Sequence, residues 1–150
     1  MKYKNLIQLV EKQKSNLFSL LEIILKKQDA LVNNNFEKLE VNTQEEEKVL
    51  LEINRCEKQR LDVLDKFYKE NPQHKASCKL DDIISVLKDK INGDLSQKLI
   101  SLKEDIKNVT KKIILINQQN KYLIVQSRSL FNEIVTNVFK NNSSIIDRKI

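Results

Sequence analysis

The chain of 150 residues contains only one proline, Pro72, and only one glycine, Gly93. Sheet folds and Gly-rich phosphate-binding domains need many tight turns, and those turns draw heavily on these two residue types. This scarcity excludes most β and α/β folds and favours a few long helices joined by few loops. The predicted fold class is therefore all-α, and the length fits one domain.

Three breaks divide the chain into helices. Pro72 ends one helix because it lacks a backbone N–H and restricts the residue before it. The Asn-Gly-Asp run at 92–94 predicts a helix end with Gly93 in the left-handed conformation, followed by Asp94 as N-cap. In the Asn run at 33–35, Asn35 is the predicted N-cap of the next helix. The predicted helices are 3–32, 36–70, 79–91 and 95–139, forming one helical domain at 1–139 before a flexible tail at 140–150.

Apolar residues recur with a seven-residue repeat in the last predicted helix. Alternating steps of four and three residues reach apolar side chains at nearly every position, which is typical of a left-handed supercoiled seam. The seam positions are Leu95, Leu99, Leu102, Ile106, Val109, Ile113, Ile116, Asn120, Leu123, Ser127, Leu130, Ile134 and Asn137.

The first two helices follow the same repeat with polar interruptions. These are Gln13 and Lys27 in the first helix and Thr43, Glu46, Glu57 and Arg60 in the second. The break at 71–94 must reverse the chain, whereas the break at 33–35 allows either a hairpin or one continuous rod. We predict an elongated antiparallel helical bundle, or segmented coiled coil, with a long C-terminal helix lying along the first two.

The net charge of +6 falls entirely within residues 95–150. A basic helix of this kind raises nucleic-acid binding as an alternative function. The bias to Lys over Arg, the few aromatic residues and the lack of a recognised binding motif argue against it.

The sequence gives little indication of an enzyme active site or a metal site. The single histidine, His74, and the cysteines Cys56 and Cys78 lack metal-ligand spacing, so we expect no metal and no cofactor. No nucleophile–base pair is suggested, and a helical rod offers no obvious concave pocket, so we expect no enzyme. No apolar segment approaches the roughly 20 residues that span a bilayer, and no signal peptide begins the chain, so we expect a cytoplasmic protein without stable membrane insertion.

The segment from Ile113 to Phe139 differs from the rest of its helix. Its only charged residues are Lys121, Arg128 and Glu133, and its apolar residues extend beyond the seam. A helix that is apolar on several faces is either buried centrally or meets a partner. Both interpretations stay open, with self-association as the alternative to a foreign partner.

This segment resembles the late helix of the FlgN family of flagellar export chaperones. The resemblance covers about residues 5–139, including the apolar first helix and the Asn-rich break before Phe36. The matching positions in the late helix are Asn117, Asn120, Leu123, Ser127 and the stretch 130–139. For Asn120, a register-fixing role on the seam and a client contact are both considered.

The resemblance implies a cytosolic chaperone of bacterial flagellum biogenesis. Its clients would be hook–filament junction (hook-associated) proteins, whose terminal helices it keeps from premature assembly and delivers to the gate and ATPase components of the type III export apparatus. For Tyr122, contact with the export gate and packing at the edge of the bundle are both considered. The client surface would comprise Leu130, Phe131, Ile134, Val135, Val138 and Phe139. A structural or homodimeric coiled-coil protein is the alternative.

Overall fold

The chain folds into four helices in a computed structural model that describes residues 2–88 and 90–149, with side chains at 3–88, 90–138 and 140. The helices are α1 (Lys2–Val32), α2 (Phe36–Glu70), α3 (Leu80–Leu87) and α4 (Gly93–Lys149). The described residues contain no strand, which confirms the predicted all-α class.

The predicted end of the last helix is wrong, because α4 continues from residue 139 to Lys149. The Asn and Ser residues at 141–144 lower helix propensity by at most about 0.7 kcal/mol each, and neither removes a backbone hydrogen bond as Pro does. The flexibility of residues 140–150 stays a prediction.

Asparagine side chains cap the N-termini of α2 and α4, the two long helices that follow a break. Asn35 Oδ1 accepts a hydrogen bond from the Lys38 amide at 3.2 Å, which confirms the predicted N-cap of α2. The N-cap of α4 is Asn92, whose Oδ1 accepts from the Leu95 amide at 2.8 Å, so the prediction of Asp94 is wrong. Because this cap lets the helix begin at Gly93, that glycine has no positive φ, contrary to prediction. The left-handed residue is Asn34, with φ of 52°.

Helix α1 lies between α2 and α4 and packs against both. Helix α2 folds back on α1 as an antiparallel hairpin, which decides the alternative that the sequence left open. Helix α4 runs parallel to α1, and α3 packs against α4 near its start. The proximal core joins all four helices through residues such as Leu6, Phe67, Ile83 and Leu99. The distal core contains Leu20, Ile24, Val109 and Ile113.

The polar interruptions of the first two helices pair with one another across the α1–α2 contact. Lys27 Nζ lies 2.7 Å from Glu46 Oε2, and both side chains are about four-fifths buried. Gln13 Nε2 donates to Glu57 Oε2 at 2.5 Å. These contacts explain how α2 packs along α1 although its seam contains polar residues.

Arg60 connects α2 to the loop that follows it. Its guanidinium donates to both carboxylate oxygens of Glu57, at 2.6 and 2.9 Å, and to the Cys78 carbonyl oxygen at 3.0 Å. The hydrogen bond from Arg60 lowers the pKa of Glu57 from its ordinary value of 4.5, while partial burial opposes the shift. The buried Cys56 thiol, one turn earlier, has a raised pKa because burial disfavours the thiolate.

Candidate functional site

Helix α4 extends well beyond the end of α1. Asn120 of α4 lies level with Ile24 of α1, as their hydrogen bond shows. Helix α1 ends eight residues later, at Val32, and eight residues after Asn120 is Arg128. Since parallel helices rise equally, residues 128–149 of α4 project past α1 by about 33 Å at 1.5 Å per residue. We call residues 128–149 the projecting segment.

The seam of α4 changes from buried to exposed where α1 ends. Leu102 and Val109 are buried, Leu123 and Ser127 are half-buried, and Leu130 and Ile134 are more than half exposed. Leu130 and Ile134 are as apolar as Leu102 and Val109, so their loss of burial results from the loss of the partner helix. The projecting segment therefore carries an apolar seam without a neighbour among the described residues.

Four apolar side chains form one exposed stripe on the projecting segment. Leu130, Phe131, Ile134 and Val138 have exposed fractions between 51% and 66%. Because they are separated by one, three and four residues, they share one side of the helix. Val135 is half-buried, and the Phe139 side chain lies outside the described residues. We call the four exposed residues the apolar stripe.

The late-helix motif positions lie closer to the bundle. Asn120 is buried at 5% exposure, and its Nδ2 donates to the Ile24 carbonyl oxygen at 3.2 Å. Asn117, Leu123 and Ser127 are half-buried. Since Asn120 faces α1, its geometry favours the register-fixing interpretation over a direct client contact.

Tyr122 is exposed at the rim of a shallow groove between α4 and α1. The ring is 64% exposed, and the groove includes Leu115 from α4 with Leu25 and Val32 from α1. A hydrogen bond of 2.9 Å joins Gln28 to Gln119 across the same two helices. The sequence did not predict Leu25 and Val32 as part of a site. The signal that could have found them is an apolar seven-residue repeat outside the α1 seam, formed by Phe18, Leu25 and Val32.

The exposed fractions of side chains in the 113–139 segment bear on its two interpretations, central burial and contact with a partner. Ile114, Leu115, Tyr122 and Val125 are all more than half exposed, so deep burial of the apolar residues outside the seam is not what the structure shows. Within the described residues there is no group of acidic, His or Cys side chains arranged to hold a metal ion, and no helix is long and apolar enough to cross a membrane.

The chemistry of the projecting segment is that of apolar association. Its stripe offers apolar area on one side of the helix, with Arg128 and Glu133 as the charges between residues 128 and 138. Such a surface suits a partner helix that contributes an apolar stripe of its own.

Comparison with known protein families gives a match over nearly the whole chain. The family model described as FlgN protein matches residues 1–145. No curated protein and no solved structure matches the chain.

Proposed function

The chain belongs to the FlgN family of flagellar export chaperones, and from this premise we propose that its projecting segment holds the terminal helices of hook–filament junction proteins. The apolar stripe of Leu130, Phe131, Ile134 and Val138 carries this proposal, because it is exposed and has no neighbour among the described residues. Val135 and Phe139 complete the proposed client surface.

A client helix would lie along α4 in the position that α1 occupies nearer the bundle. Burying the exposed half of a large apolar side chain stabilises a complex by about 1 kcal/mol. The four residues of the stripe would then contribute about 4 kcal/mol, or about a thousandfold in affinity. Ordering a flexible client offsets part of this gain, so the complex protects the client and still releases it.

In this proposal the bound client cannot assemble prematurely, because its assembly surface is covered by α4. Delivery to the export apparatus requires a second surface that stays accessible in the complex. Tyr122 is a candidate for contact with the export gate, since its ring is exposed outside the apolar stripe.

The proposal is tested by calorimetric titration of the full chain with the terminal helical segment of a junction protein. We expect Phe131→Ser with Ile134→Ser to weaken binding at least tenfold. The matched control is Leu51→Ser with Leu61→Ser, because both residues are exposed on α2, at 70% and 42%, and lie more than a dozen residues from its start beside the projecting segment. The control should bind like the wild type.

Truncation after Ser129 provides a second test. It should leave circular-dichroism helicity high, because the bundle remains, but abolish capture of the client. Capture that survives truncation would place the client surface elsewhere. Client binding that falls steeply with salt would indicate charge contacts instead of apolar burial. If the chain self-associates without a client, and the stripe variant does not, the homodimeric coiled coil would be favoured.

A further inference from the structure

The side of α4 opposite its buried seam combines positive charge with exposed apolar groups, and its edge at Leu115 and Tyr122 borders the groove shared with α1. Seam residues such as Val109 and Ile113 point into the bundle. The opposite side is exposed at positions spaced by helical turns. We call this the outer face, and its main residues are Lys107, Lys111, Ile114, Leu115, Lys121 and Tyr122.

The positive charge of the outer face has no ion-pair partner among the residues that the structure describes. No acidic residue occurs in the chain between Asp105 and Glu133, whereas five basic residues do. Earlier in α4 the lysines are paired: Lys98 bonds Glu11 at 2.5 Å, and Lys103 bonds Asp81. Lys107, Lys111 and Lys121 form no ion pair within the part of the chain that the structure describes.

The carboxylates near these lysines form no ion pair with them among the described residues. Glu104, three residues before Lys107, is exposed on the same side of α4. Asp105 is already held by Lys14 of α1, at 2.7 Å. Asp29 of α1 lies in the groove beside Leu115 and Tyr122 and is a single charge against the three lysines. The outer face therefore keeps a local excess of positive charge.

We propose that the outer face of α4 binds an anionic lipid surface, with the helix lying in the plane of the headgroups. Lysine side chains can extend toward lipid phosphates while their aliphatic parts stay near apolar groups. Ile114 and Leu115 would enter the boundary between headgroups and acyl chains, where the ring of Tyr122 is also favoured.

The shape of the outer face favours a lipid surface over the other anionic partners. Its exposed positions follow one side of a helix, which can meet a flat surface along its length. The shallow groove at its edge, beside Leu115 and Tyr122, contains Asp29, whose negative charge disfavours an acidic peptide. A nucleic acid would match the charge but leave Ile114 and Leu115 against phosphates and water. The apolar stripe points elsewhere, since Phe131 follows Tyr122 by nine residues, about two and a half turns, which places it on the opposite side of α4. Lipid binding and client binding are therefore compatible.

Sedimentation of the full chain with lipid vesicles tests this proposal. At about 0.1 M salt, where charges act over roughly 10 Å, the chain should bind phosphatidylcholine vesicles that contain phosphatidylglycerol, and not phosphatidylcholine alone. Each lysine near an anionic surface changes affinity about fivefold, so the variant Lys107→Gln/Lys111→Gln/Lys121→Gln should bind about a hundredfold more weakly.

The matched control removes the same charge from α2. Lys38, Lys48 and Lys58 are exposed and form no ion pair among the described residues, so their replacement by Gln should change vesicle affinity less than threefold. The variant Ile114→Ser/Leu115→Ser should weaken binding at least fivefold while helicity stays at the wild-type level.

Three results would overturn the proposal. One is a wild-type chain that does not sediment with anionic vesicles. Another is an equal loss of vesicle binding in the outer-face and α2 lysine variants, which would show that binding depends on net charge and not on the position of the lysines. The third is duplex DNA that binds through the same lysines while vesicles do not, which would assign the face to nucleic acid.

Discussion

Asn120 donates a hydrogen bond across the bundle to the carbonyl oxygen of Ile24, at 3.2 Å. This contact joins the α4 seam to α1 at the distal core, to which Ile24 belongs. The other amide atom of Asn120, Oδ1, is buried without a hydrogen-bond partner. A half-satisfied amide on an apolar seam fixes the register of two helices and lowers their stability.

Replacing Asn120 with Leu should stabilise the bundle. The substitution removes an unsatisfied acceptor and continues the apolar seam, so we expect the free energy of unfolding to rise by about 1–2 kcal/mol in urea titrations. Asn108→Leu, on the exposed side of α4, is the control and should change stability by less than about 0.5 kcal/mol. A destabilised Asn120→Leu chain would mean that the single hydrogen bond outweighs the unsatisfied oxygen.

The Lys27–Glu46 pair should show strong coupling in a double-mutant cycle. Both side chains are about four-fifths buried, so removing one leaves the other charge unpaired. We expect Lys27→Met or Glu46→Leu alone to cost about 1–3 kcal/mol of unfolding free energy, and the double variant to recover most of it. The exposed pair Lys69–Asp65 is the comparison and should show no coupling above experimental error. Additive single costs at Lys27 and Glu46 would contradict the contact.

Glu57 should make stability depend on pH below its ordinary pKa of 4.5. Hydrogen bonding to Arg60 lowers the pKa of Glu57 in the folded chain. A lowered carboxyl pKa contributes stability that is fully present above the unfolded-state value and is lost as pH falls through the folded-state value. The stability difference between wild type and Glu57→Gln should therefore stay constant from neutral pH down to about 4.5 and shrink below it.

Urea unfolding at a series of pH values measures this difference. Glu40→Gln, an exposed carboxylate outside any ion pair in the described chain, gives the baseline. A difference that grows toward acidic pH would reverse the sign and exclude the Arg60 contact as its source.

Local sequence rules were sufficient for most of the fold. Pro72 and the Asn run marked two helix boundaries because each acts through its own backbone or side chain. The seam from Leu99 to Asn120 was predictable because a supercoiled helix must bury one side at every heptad. The rule that assigns left-handed residues to glycine failed at Gly93, because the Asn92 side chain offered an earlier cap. The left-handed residue Asn34 lies in another break, between α1 and α2.

Long-range relationships were not predictable in the same way. In sequence, each of the two seams contains polar interruptions that look unrelated: Gln13 and Lys27 in α1, and Glu46 and Glu57 in α2. Only the antiparallel register of α1 and α2 brings them together. The candidate site was predicted as a set of apolar residues. Its exposure depends on where α1 ends beside α4, at Val32, and this relative length is set by tertiary packing.

Leu102 and Leu130 allow a direct test of that dependence, because they occupy the same seam position four heptads apart. Leu102 is 6% exposed in the proximal core, and Leu130 is 58% exposed on the projecting segment. Removing a buried Leu side chain costs about 2–5 kcal/mol, whereas removing an exposed one costs less than about 0.5 kcal/mol. We therefore expect Leu102→Ala to destabilise the chain strongly in urea unfolding and Leu130→Ala to leave it unchanged.

The same pair separates stability from binding. Leu130→Ala should weaken capture of a junction-protein helix without changing the unfolding midpoint, because the Leu130 side chain contacts a partner only in the complex. Leu102→Ala should lower the midpoint and, at temperatures where the bundle stays folded, leave capture unchanged. A Leu130→Ala chain that unfolds earlier than the wild type would show that the projecting segment folds back onto the bundle, and its apolar stripe would then not be free to receive a client.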